Sequence, residues 1–339
     1  MIVDRYYYNQ LNSREQAIYR AFYDGVKSHK DIIPIPVKGI FTQEMFNRIF
    51  MAITRDNPLI YFLNQSACSI AQDMYGHVAI CPQYFLNKNK VKEYNRKIEN
   101  SVNSLIAKLK LTECSDYDKT LKVHDWFCEN IKYDFQGADK NEPVRVIASH
   151  NIIGVFAYHK AQCEGIAKAV KVILNAVDVR CIVATGVANS ARENGPHAWN
   201  IVNLNDTPYH MDVTWDIGAI SQSRTIKPYD YFLISDELIS LDHKAEDKLP
   251  ICISMELNYF TKNKLTFDSK RQLLTCIEKL LLSGEKEIYF RIEDRIKQEE
   301  VIKDITNLAA MIMNSNGKSG VSFHHSLNQT IGTCWIRLY

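Results

Sequence analysis

Residues 163–215 change from a helical hydrophobic pattern to strand patterns, and this change constrains the fold more than any other feature of the chain. Four apolar side chains form one helical stripe after Cys163, namely Ile166, Val170, Ile173 and Leu174. The segment "RCIVATGVA" is then typical of a strand, and "HAWNIVNLNDTPYHMDVTWD" predicts a hairpin around Asn205-Asp206. We therefore expect a helix that begins at Cys163, then a strand, then a hairpin.

Size and charge limit the classes of protein that need to be considered. A chain of 339 residues is too long for one ordinary hydrophobic core and suits roughly two or three folding units. The 41 basic and 39 acidic residues leave a net charge of +2. This balance argues against nucleic acid or a membrane surface as the main partner. The composition sets no expectation for the oligomeric state.

The start of the chain, "MIVDRYYYNQLNSREQ", lacks the apolar centre of a signal peptide. The sequence also has no run of about eighteen apolar residues, the length that a membrane-spanning helix needs. Provided that Met1 is the native start, we expect a cytoplasmic protein with no membrane partner.

The nine cysteines are odd in number and contain no CxxC pair. This pattern argues against a disulfide framework and against a zinc ribbon, and it favours a reducing compartment. No Asp-rich loop has the ligand spacing of an EF-hand. We therefore expect neither a metal nor a cofactor.

Periodic segments also flank the central region. Helices are predicted for "REQAIYRAFYDGV", "TQEMFNRIFMAITRDNP", "KVKEYNRKIENSVNSLIAKLK" and "SDYDKTLKVHDWFCENIKYDF", and strands or extended chain for "IIPIPV" and "HVAICPQY". Ser115 or Asp116 is the expected N-cap of the fourth helix. Residues 136–160 have weak periodicity, which is typical of a functional or disordered segment. Beyond residue 256, helix, strand, helix and two strands predict a compact α/β unit.

The position of Cys163 at the start of a helix suits a nucleophile. A thiol attacks as the thiolate, whose fraction is small at neutral pH unless positive charge stabilises it. The unpaired N–H groups of a helix N-terminus supply partial positive charge, and a neighbouring imidazolium supplies more. Gly165 leaves room for close approach to this first helical turn.

The predicted hairpin supplies a histidine and a carboxylate. Strand alternation places His197 and Trp199 on one face of the first strand. In the return strand, His210, Asp212 and Thr214 share a face. With a two-residue turn, Trp199 faces Asp212, so Asp212 lies diagonal to His197 on the same side of the sheet. The carboxylate is then placed to hold one imidazole nitrogen while the other faces the thiol.

Two other residues compete for these roles. His210 is two residues from Asp212, but its place near the turn is typical of a solvated strand residue. Asp216 is the rival carboxylate, although it lies past the end of the alternation. Chain order alone is weak evidence, because nine cysteines and ten histidines make some such order inevitable.

Six segments carry a resemblance to a known family. "CEGIAKA", "HAWNIV" and "YHMDVTWD" resemble the three catalytic motifs of the transglutaminase-like superfamily of cysteine enzymes. "VHDWFCENIKYD" resembles the helix that precedes the catalytic cysteine in bacterial members. "YFLISDE" followed by "DHK" resembles the segment after the aspartate motif. The resemblance covers about residues 115–250, and it implies a bacterial transglutaminase-like cysteine protease with a papain-like fold.

This resemblance implies an α+β core in which the cysteine helix packs on an antiparallel sheet carrying histidine and aspartate. It implies Cys163 as nucleophile, His197 as general base and acid, and Asp212 as the residue that orients His197. We predict three parts: an N-terminal accessory α+β region at 1–95, the transglutaminase-like catalytic core at 96–255, and a C-terminal α/β accessory unit at 256–339.

The residues around the predicted cysteine leave several roles open. Bacterial members commonly read Gly-Val-Cys, whereas this chain has Gln162 before Cys163. Gln162 either points its amide at a developing oxyanion or replaces an apolar neighbour, and the backbone N–H of Cys163 is the other candidate donor. Trp199 and Trp215 either shield the site from water or pack as ordinary aromatics. Tyr133 either lines the cleft or packs elsewhere.

The chemistry that this triad implies is acyl transfer. Water as the acceptor makes the protein a peptidase or amidase that works through a thioester, which is the function we expect, with a protein or peptide as substrate. An amine as the acceptor makes it a protein-glutamine transglutaminase. The third alternative is a catalytically inactive binding module that keeps the fold, and acyl chemistry on sugars, lipids or cofactors is the remaining one.

Overall fold

The protein has a mixed α+β fold, in which helices alternate with small sheets. The computed structural model describes residues 5–135, 147–189, 194–218, 227–293, 298–315 and 322–339. The chain divides into two compact units: residues 1–185 with 197–206, and residues 186–196 with 207–339. The three-part division expected from the sequence, with boundaries at 95 and 255, stays a prediction.

The first unit opens with helices and an antiparallel sheet. The helices are α1 (Tyr6–Gln10), α2 (Ser13–Lys27) and α3 (Gln43–Asp56), and the strands are β1 (Ile33–Lys38), β2 (Leu63–Gln72) and β3 (His77–Tyr84), in the order β1-β3-β2. Three apolar residues spaced four apart in α2, Ile18, Phe22 and Val26, are fully buried. Thr42 caps α3 by accepting a hydrogen bond from the N–H of Met45 at 3.1 Å. The helices and strands predicted here are confirmed.

Two longer helices follow, α4 (Lys88–Leu109) and α5 (Asp116–Asn130). Ser115 is the N-cap of α5, since its hydroxyl accepts from the N–H of Asp118 at 3.1 Å. Of the weakly periodic stretch, residues 136–146 lie outside the described residues. The rest contains α6 (Ile152–Tyr158), whose seven residues are too few for a clear helical period.

The predicted cysteine helix is α7 (Cys163–Ala176). Before this helix, the short strands β4 (Lys132–Tyr133) and β5 (Lys160–Ala161) form a parallel pair. After it come two neighbouring strands, β6 (Arg180–Asn189) and β7 (Asn194–Leu204). The buried amide of Asn200 in β7 donates to the carbonyls of Ala167 in α7 at 2.9 Å and Ile182 in β6 at 3.1 Å. These bonds join helix to sheet, so the expected helix-on-sheet core is confirmed.

The loop after β7 is the predicted turn. Asn205 and Asp206 have φ angles of 52° and 60°, the left-handed pair that a type I′ turn requires. The next strand, β8 (Thr207–Met211), is shorter than expected, because α8 (Val213–Gly218) begins two residues later. Thr214 is therefore helical, and the expectation that it continues the strand face of His210 and Asp212 is wrong.

The second unit continues with α9 (Asp236–Ile239) and β9 (His243–Ala245). β9 pairs antiparallel with the end of β6, where Gly186 faces Ala245 and Ala188 faces His243. A side chain at Gly186 would clash, because its Cβ would lie 2.1 Å from the carbonyl oxygen of Lys244. This pairing brings His243 into the interior of the second unit.

The C-terminal segment forms its own sheet and core. Its elements are α10 (Tyr259–Lys262), β10 (Thr266–Phe267), α11 (Lys270–Leu282), β11 (Glu287–Ile292), α12 (Gln298–Ser315), β12 (Phe323–Asn328) and β13 (Thr333–Leu338), with the sheet order β10-β11-β13-β12. Buried apolar residues of both longer helices pack with those of the sheet. The predicted helices and strands beyond residue 256 are confirmed. Among the helices of the described ranges, none combines the length and the hydropathy of a membrane span.

Candidate active site

Cys163 is the first residue of a 14-residue helix and is half-buried. Its side chain packs against Ala167, Val183 and Ala198, which come from α7, β6 and β7. The N–H of a first helical residue has no acceptor within the helix, so this group and the helix dipole both favour negative charge nearby. The predicted position of this thiol at a helix start is confirmed, and its role as nucleophile stays a prediction.

Gly165 allows the chain before the helix to approach closely. A Cβ at this position would lie 2.7 Å from the carbonyl oxygen of Ser149 and 2.8 Å from that of Asn151. Contacts of this length are essentially never made by real side chains, so a larger residue would push the segment 149–151 away. The room that the sequence analysis assigned to Gly165 is therefore occupied by backbone.

The residues just before Cys163 are held by β4. Lys132 pairs with Lys160 and Tyr133 pairs with Ala161, in parallel. The N–H of Asp134 then donates to the carbonyl of Ala161 at 3.0 Å. The strand after α5 therefore fixes the chain that enters α7, which explains why a motif so far upstream accompanies the cysteine motif.

Asp134 is the buried anchor of this entry segment, and the sequence analysis assigned it no role. Its carboxylate is 2.7 Å from Nζ of Lys160 and accepts a hydrogen bond from the hydroxyl of Ser149. Its carbonyl accepts from Nε2 of Gln162 at 3.3 Å, and the N–H of Gln162 donates to the carbonyl of Ser149 at 2.8 Å. Asp134 is the last residue of the motif "VHDWFCENIKYD", and its place in that motif could have indicated its role from the sequence.

The carboxylate of Glu164, next to the thiol, is neutralised by cations. Burial would raise the pKa of Glu164, but the charges of Lys168, His150 and Arg55 outweigh it and lower the pKa on balance. Nζ of Lys168 lies 2.6 Å from the Glu164 carboxylate. An unpaired negative charge on Glu164, the next residue in sequence, would oppose a thiolate at Cys163.

Residues from the start of the chain support the strand beside Cys163. The hydroxyl of Tyr7 donates to the carbonyl of Val183 at 2.6 Å. The guanidinium of Arg55, which lies 5.1 Å from the Tyr7 ring, donates to the hydroxyl of Thr185. These contacts show that residues within the segment 1–95, predicted to be an accessory region, support β6.

His197 lies in β7 and is half-buried. Its ring stacks on that of Trp199, with centroids 6.2 Å apart and an interplanar angle of 14°. This stacking confirms that the two residues share a face of the strand. Because Asn200 of β7 donates to the carbonyl of Ala167 in α7, the thiol and the imidazole come from touching elements of the first unit.

Asp212 is fully buried in the second unit, between β8 and α8. One carboxylate oxygen accepts from the N–H groups of Thr214 at 2.9 Å and Trp215 at 3.1 Å. Its own N–H donates to the carbonyl of Tyr231 at 3.0 Å. Asp212 thus caps the short helix that ends the strand, and its second oxygen points elsewhere.

That second oxygen contacts His243, which the sequence analysis did not single out. Nε2 of His243 is 3.1 Å from Asp212, and Nδ1 is 2.5 Å from Asp242. The hydroxyl of Tyr231 donates to the other oxygen of Asp242 at 2.6 Å. Burial, with Asp242 adding to it, raises the pKa of Tyr231, so the phenol keeps its proton. The signal for His243 was its place in the "DHK" motif.

The sequence comparison decides the family of this region. Residues 103–213 match the profile of the Transglutaminase-like superfamily, and the match includes Cys163, His197 and Asp212. These residues form a transglutaminase-like domain. No curated protein matches the sequence significantly.

Three solved structures are similar to the chain at low identity. A TGase is 15% identical, with 74% of this chain and 69% of that chain covered and a TM-score of 0.31. A proposed cysteine protease from Cytophaga hutchinsonii is 9% identical, with 43% and 61% covered and a TM-score of 0.27. A proposed protease from Parabacteroides distasonis is 11% identical, with 42% and 29% covered and a TM-score of 0.25. This chain thus spans less than two thirds of both proposed proteases.

The aromatic candidates of the transglutaminase-like domain and its flank all make packing contacts. Trp199 is 2% exposed beneath His197. The ring of Trp215 lies 4.4 Å from that of His243 and is perpendicular to Tyr231 at 5.0 Å. The ring of Tyr133 packs edge-on against Phe135 at 4.9 Å. All three aromatic residues therefore pack against neighbouring side chains. A role for Trp199 and Trp215 in shielding the site, and for Tyr133 in lining a cleft, stays a prediction.

The two rival residues have structural partners. His210 is 3% exposed and its Nε2 is 2.7 Å from the carboxylate of Asp236. The expectation that His210 is solvated is therefore wrong, because a charged partner distant in sequence allows its burial. Asp216 is fully buried and accepts from the N–H of Tyr231 at 3.1 Å. In the transglutaminase-like domain, Cys163 and His197 lie on touching elements, and the approach of Asp212 to His197 stays a prediction.

Proposed function

We propose that the transglutaminase-like domain is a cysteine-dependent acyl-transfer enzyme that hydrolyses amide or peptide bonds of a protein or peptide substrate. The supporting observation is the position of Cys163: a half-buried thiol at the N-terminus of a 14-residue helix, packed against a cluster that includes Ala198, the neighbour of His197. A buried structural cysteine has no need of that position. Lys168 also offsets the negative charge of Glu164, the residue that follows Cys163 in sequence.

In the proposed first half-reaction, His197 takes the proton of Cys163 and the sulfur attacks the carbonyl carbon of the substrate. The N–H of Cys163, which has no acceptor within the helix, donates to the oxyanion. When the tetrahedral intermediate collapses, the carbon–nitrogen bond breaks and His197 gives its proton to the leaving amine. The acyl group remains on Cys163 as a thioester.

In the second half-reaction, His197 accepts a proton from water as the water attacks the thioester. Collapse releases the carboxylic acid and returns the proton to the sulfur. In this proposal Asp212 orients the imidazole of His197, as the aspartate motif of the family implies. His243 and the two N–H groups of α8 hold the Asp212 carboxylate in one orientation.

Selective alkylation tests the proposal without knowledge of the substrate. One thiol should react with iodoacetamide at neutral pH much faster than the rest, and peptide mapping should assign it to Cys163. Cys163→Ala should abolish the fast phase, and His197→Ala should slow it. Cys276→Ala, which removes another half-buried thiol, is the matched control and should leave the fast phase intact. A fast phase that persists in Cys163→Ala would refute the proposal.

A second assay separates the chemical outcomes. Casein should release new amino termini or ammonia in the presence of the wild-type chain and not of Cys163→Ala. Incorporation of a fluorescent primary amine into casein, with no hydrolysis, would replace the hydrolase by a transglutaminase. If casein is neither hydrolysed nor modified by the amine, and Cys163 is alkylated slowly, the domain is a binding module that keeps the fold.

A further inference from the structure

Three side chains that the proposed reaction does not use meet in the second unit: His210, Asp236 and Cys252. Each offers one atom with metal-ligand chemistry, and these atoms all lie within 4.8 Å of one another. The residues come from the end of β8, the start of α9 and the loop that follows β9. No metal was expected from the sequence, because the chain has neither a CxxC pair nor an EF-hand loop, and neither motif describes ligands this far apart in the chain.

We propose that His210, Asp236 and Cys252 form a site for a divalent transition metal, with zinc as the best fit. An imidazole nitrogen, a carboxylate oxygen and a thiolate sulfur are the three donor types that proteins offer to zinc. Mixed donors that include sulfur exclude magnesium and calcium, which take oxygen ligands. Two anionic ligands would neutralise the charge of a divalent ion.

Backbone hydrogen bonds hold the three ligands in place. The N–H of His210 donates to Ile234 at 2.9 Å, and Ile234 donates back to His210 at 2.9 Å. The N–H of Asp236 donates to the carbonyl of Cys252 at 2.7 Å. The N–H of Cys252 donates to the carboxylate of Asp236 at 2.8 Å. These bonds hold the backbone of all three residues together in the absence of an ion.

Zinc binding would replace hydrogen bonds that the three side chains now make. Nε2 of His210 is 2.7 Å from the carboxylate of Asp236, and the thiol of Cys252 donates to the carbonyl of Pro250 at 3.5 Å. Burial, with the charge of Asp236 adding to it, raises the pKa of Cys252 to about 12, so the metal-free sulfur is a thiol and zinc binding would release its proton.

Access differs among the three ligands. His210 and Cys252 are buried, at 3% and 0% exposure, whereas the side chain of Asp236 is 46% exposed. An ion would therefore enter past Asp236, and water would complete the tetrahedron from that side. The inference concerns residues outside the proposed triad and does not depend on the proposed function.

Cobalt titration of the full chain, stripped of metal by a chelator, tests the proposal. Co²⁺ should bind with a stoichiometry of about one per chain and produce thiolate-to-cobalt charge-transfer absorption, and Zn²⁺ should abolish that absorption by displacement. Cys252→Ser should remove the absorption. His210→Gln and Asp236→Asn should each weaken Co²⁺ binding by about tenfold or more.

Cys334→Ser is the matched control, because Cys334 is equally buried and burial raises its pKa to about 12 as well. Its absorption and Co²⁺ affinity should equal those of the wild type. Circular dichroism checks that each variant is folded, and Asp236→Asn is the safest of the three because its side chain is partly exposed. Absence of the absorption in the wild type, or its loss in Cys334→Ser alone, would overturn the proposal.

X-ray absorption of the zinc-loaded wild type gives an answer that does not depend on any variant. One sulfur at about 2.3 Å, with nitrogen and oxygen ligands in the rest of the shell, is expected. A shell with no sulfur, or with more than one, would contradict the site.

Discussion

Nε2 of His243 lies 3.1 Å from the carboxylate of Asp212, and both side chains are completely shielded from solvent. The other ring nitrogen is 2.5 Å from Asp242. A neutral imidazole has only one N–H, so carboxylates at both nitrogens favour the imidazolium form. His243, Asp212 and Asp242 therefore form a buried charge cluster, in which the imidazolium of His243 pairs with both carboxylates. The hydroxyl of Tyr231 donates a further hydrogen bond to Asp242.

Removal of the cation from this cluster should destabilise the protein strongly. His243→Ala leaves two buried carboxylates without their shared partner, and a broken buried ion pair costs about 3–5 kcal/mol. Urea unfolding followed by circular dichroism measures the loss. His77→Ala is the control, because His77 and Asp73 form an exposed pair whose loss should cost at most about 1 kcal/mol. Equal losses in the two variants would show that the cluster carries no special stability.

A methyl group at Gly165 should disturb the entry to the cysteine helix. Gly165→Ala forces a Cβ to within 2.8 Å of two carbonyl oxygens. We expect a loss of about 1–3 kcal/mol in unfolding free energy, as for overpacking elsewhere, and slower alkylation of Cys163. Gly195→Ala is the control, since its Cβ would meet nothing within 4 Å among the described residues. An unchanged alkylation rate in Gly165→Ala would mean that segment 149–151 moves without effect on the thiol.

Gln162→Ala separates the two roles that the sequence left open for Gln162. The side chain donates to the carbonyl of Asp134, so we expect it to hold the chain before Cys163. Acylation by p-nitrophenyl acetate, corrected with Cys163→Ala, should then fall in proportion to the rate of alkylation by iodoacetamide. An oxyanion donor would behave differently: its removal costs about a hundredfold or more in acylation and leaves alkylation unchanged.

Acid should weaken the metal-free protein through His210. Burial lowers the pKa of this residue in the folded state, with His243 acting in the same direction and Asp236 opposing. Below about pH 6.5 the unfolded chain binds a proton that the folded chain does not, so stability falls as pH falls. The contribution is at most about 1.4 kcal/mol per pH unit for one proton.

Unfolding by urea between neutral pH and pH 5, in the presence of a chelator, measures this dependence. His210→Gln should flatten it, whereas His325→Gln, at an exposed position, should leave it as in the wild type. A slope that is the same in all three proteins would assign the acid sensitivity to other groups.

Local sequence was sufficient to locate most helices and strands. The stripe after Cys163, the Thr42 and Ser115 caps and the Asn205-Asp206 turn all follow from contacts within a few residues. Backbone hydrogen bonding and the spacing of apolar side chains act over that range, so a single segment carries the information. The position of Cys163 at a helix start was predictable for this reason.

The end of β8 shows where local pattern was insufficient. Alternation extends past Met211, yet the chain turns into α8, because Asp212 accepts from the N–H groups of Thr214 and Trp215 while its own N–H binds Tyr231. The start of α8 therefore depends on the carbonyl of Tyr231, which is distant in the sequence. The strand face predicted for Thr214 failed for this reason.

Buried polar partners were settled only when the chain folded. Asp212 and His243 are 31 residues apart, and His210 and Asp236 are 26 residues apart. No periodicity encodes such a pairing, because the benefit of each contact exists only after burial removes both groups from water. Amino-acid order therefore specified the elements and the place of Cys163 at a helix start, and three-dimensional packing selected which charges meet.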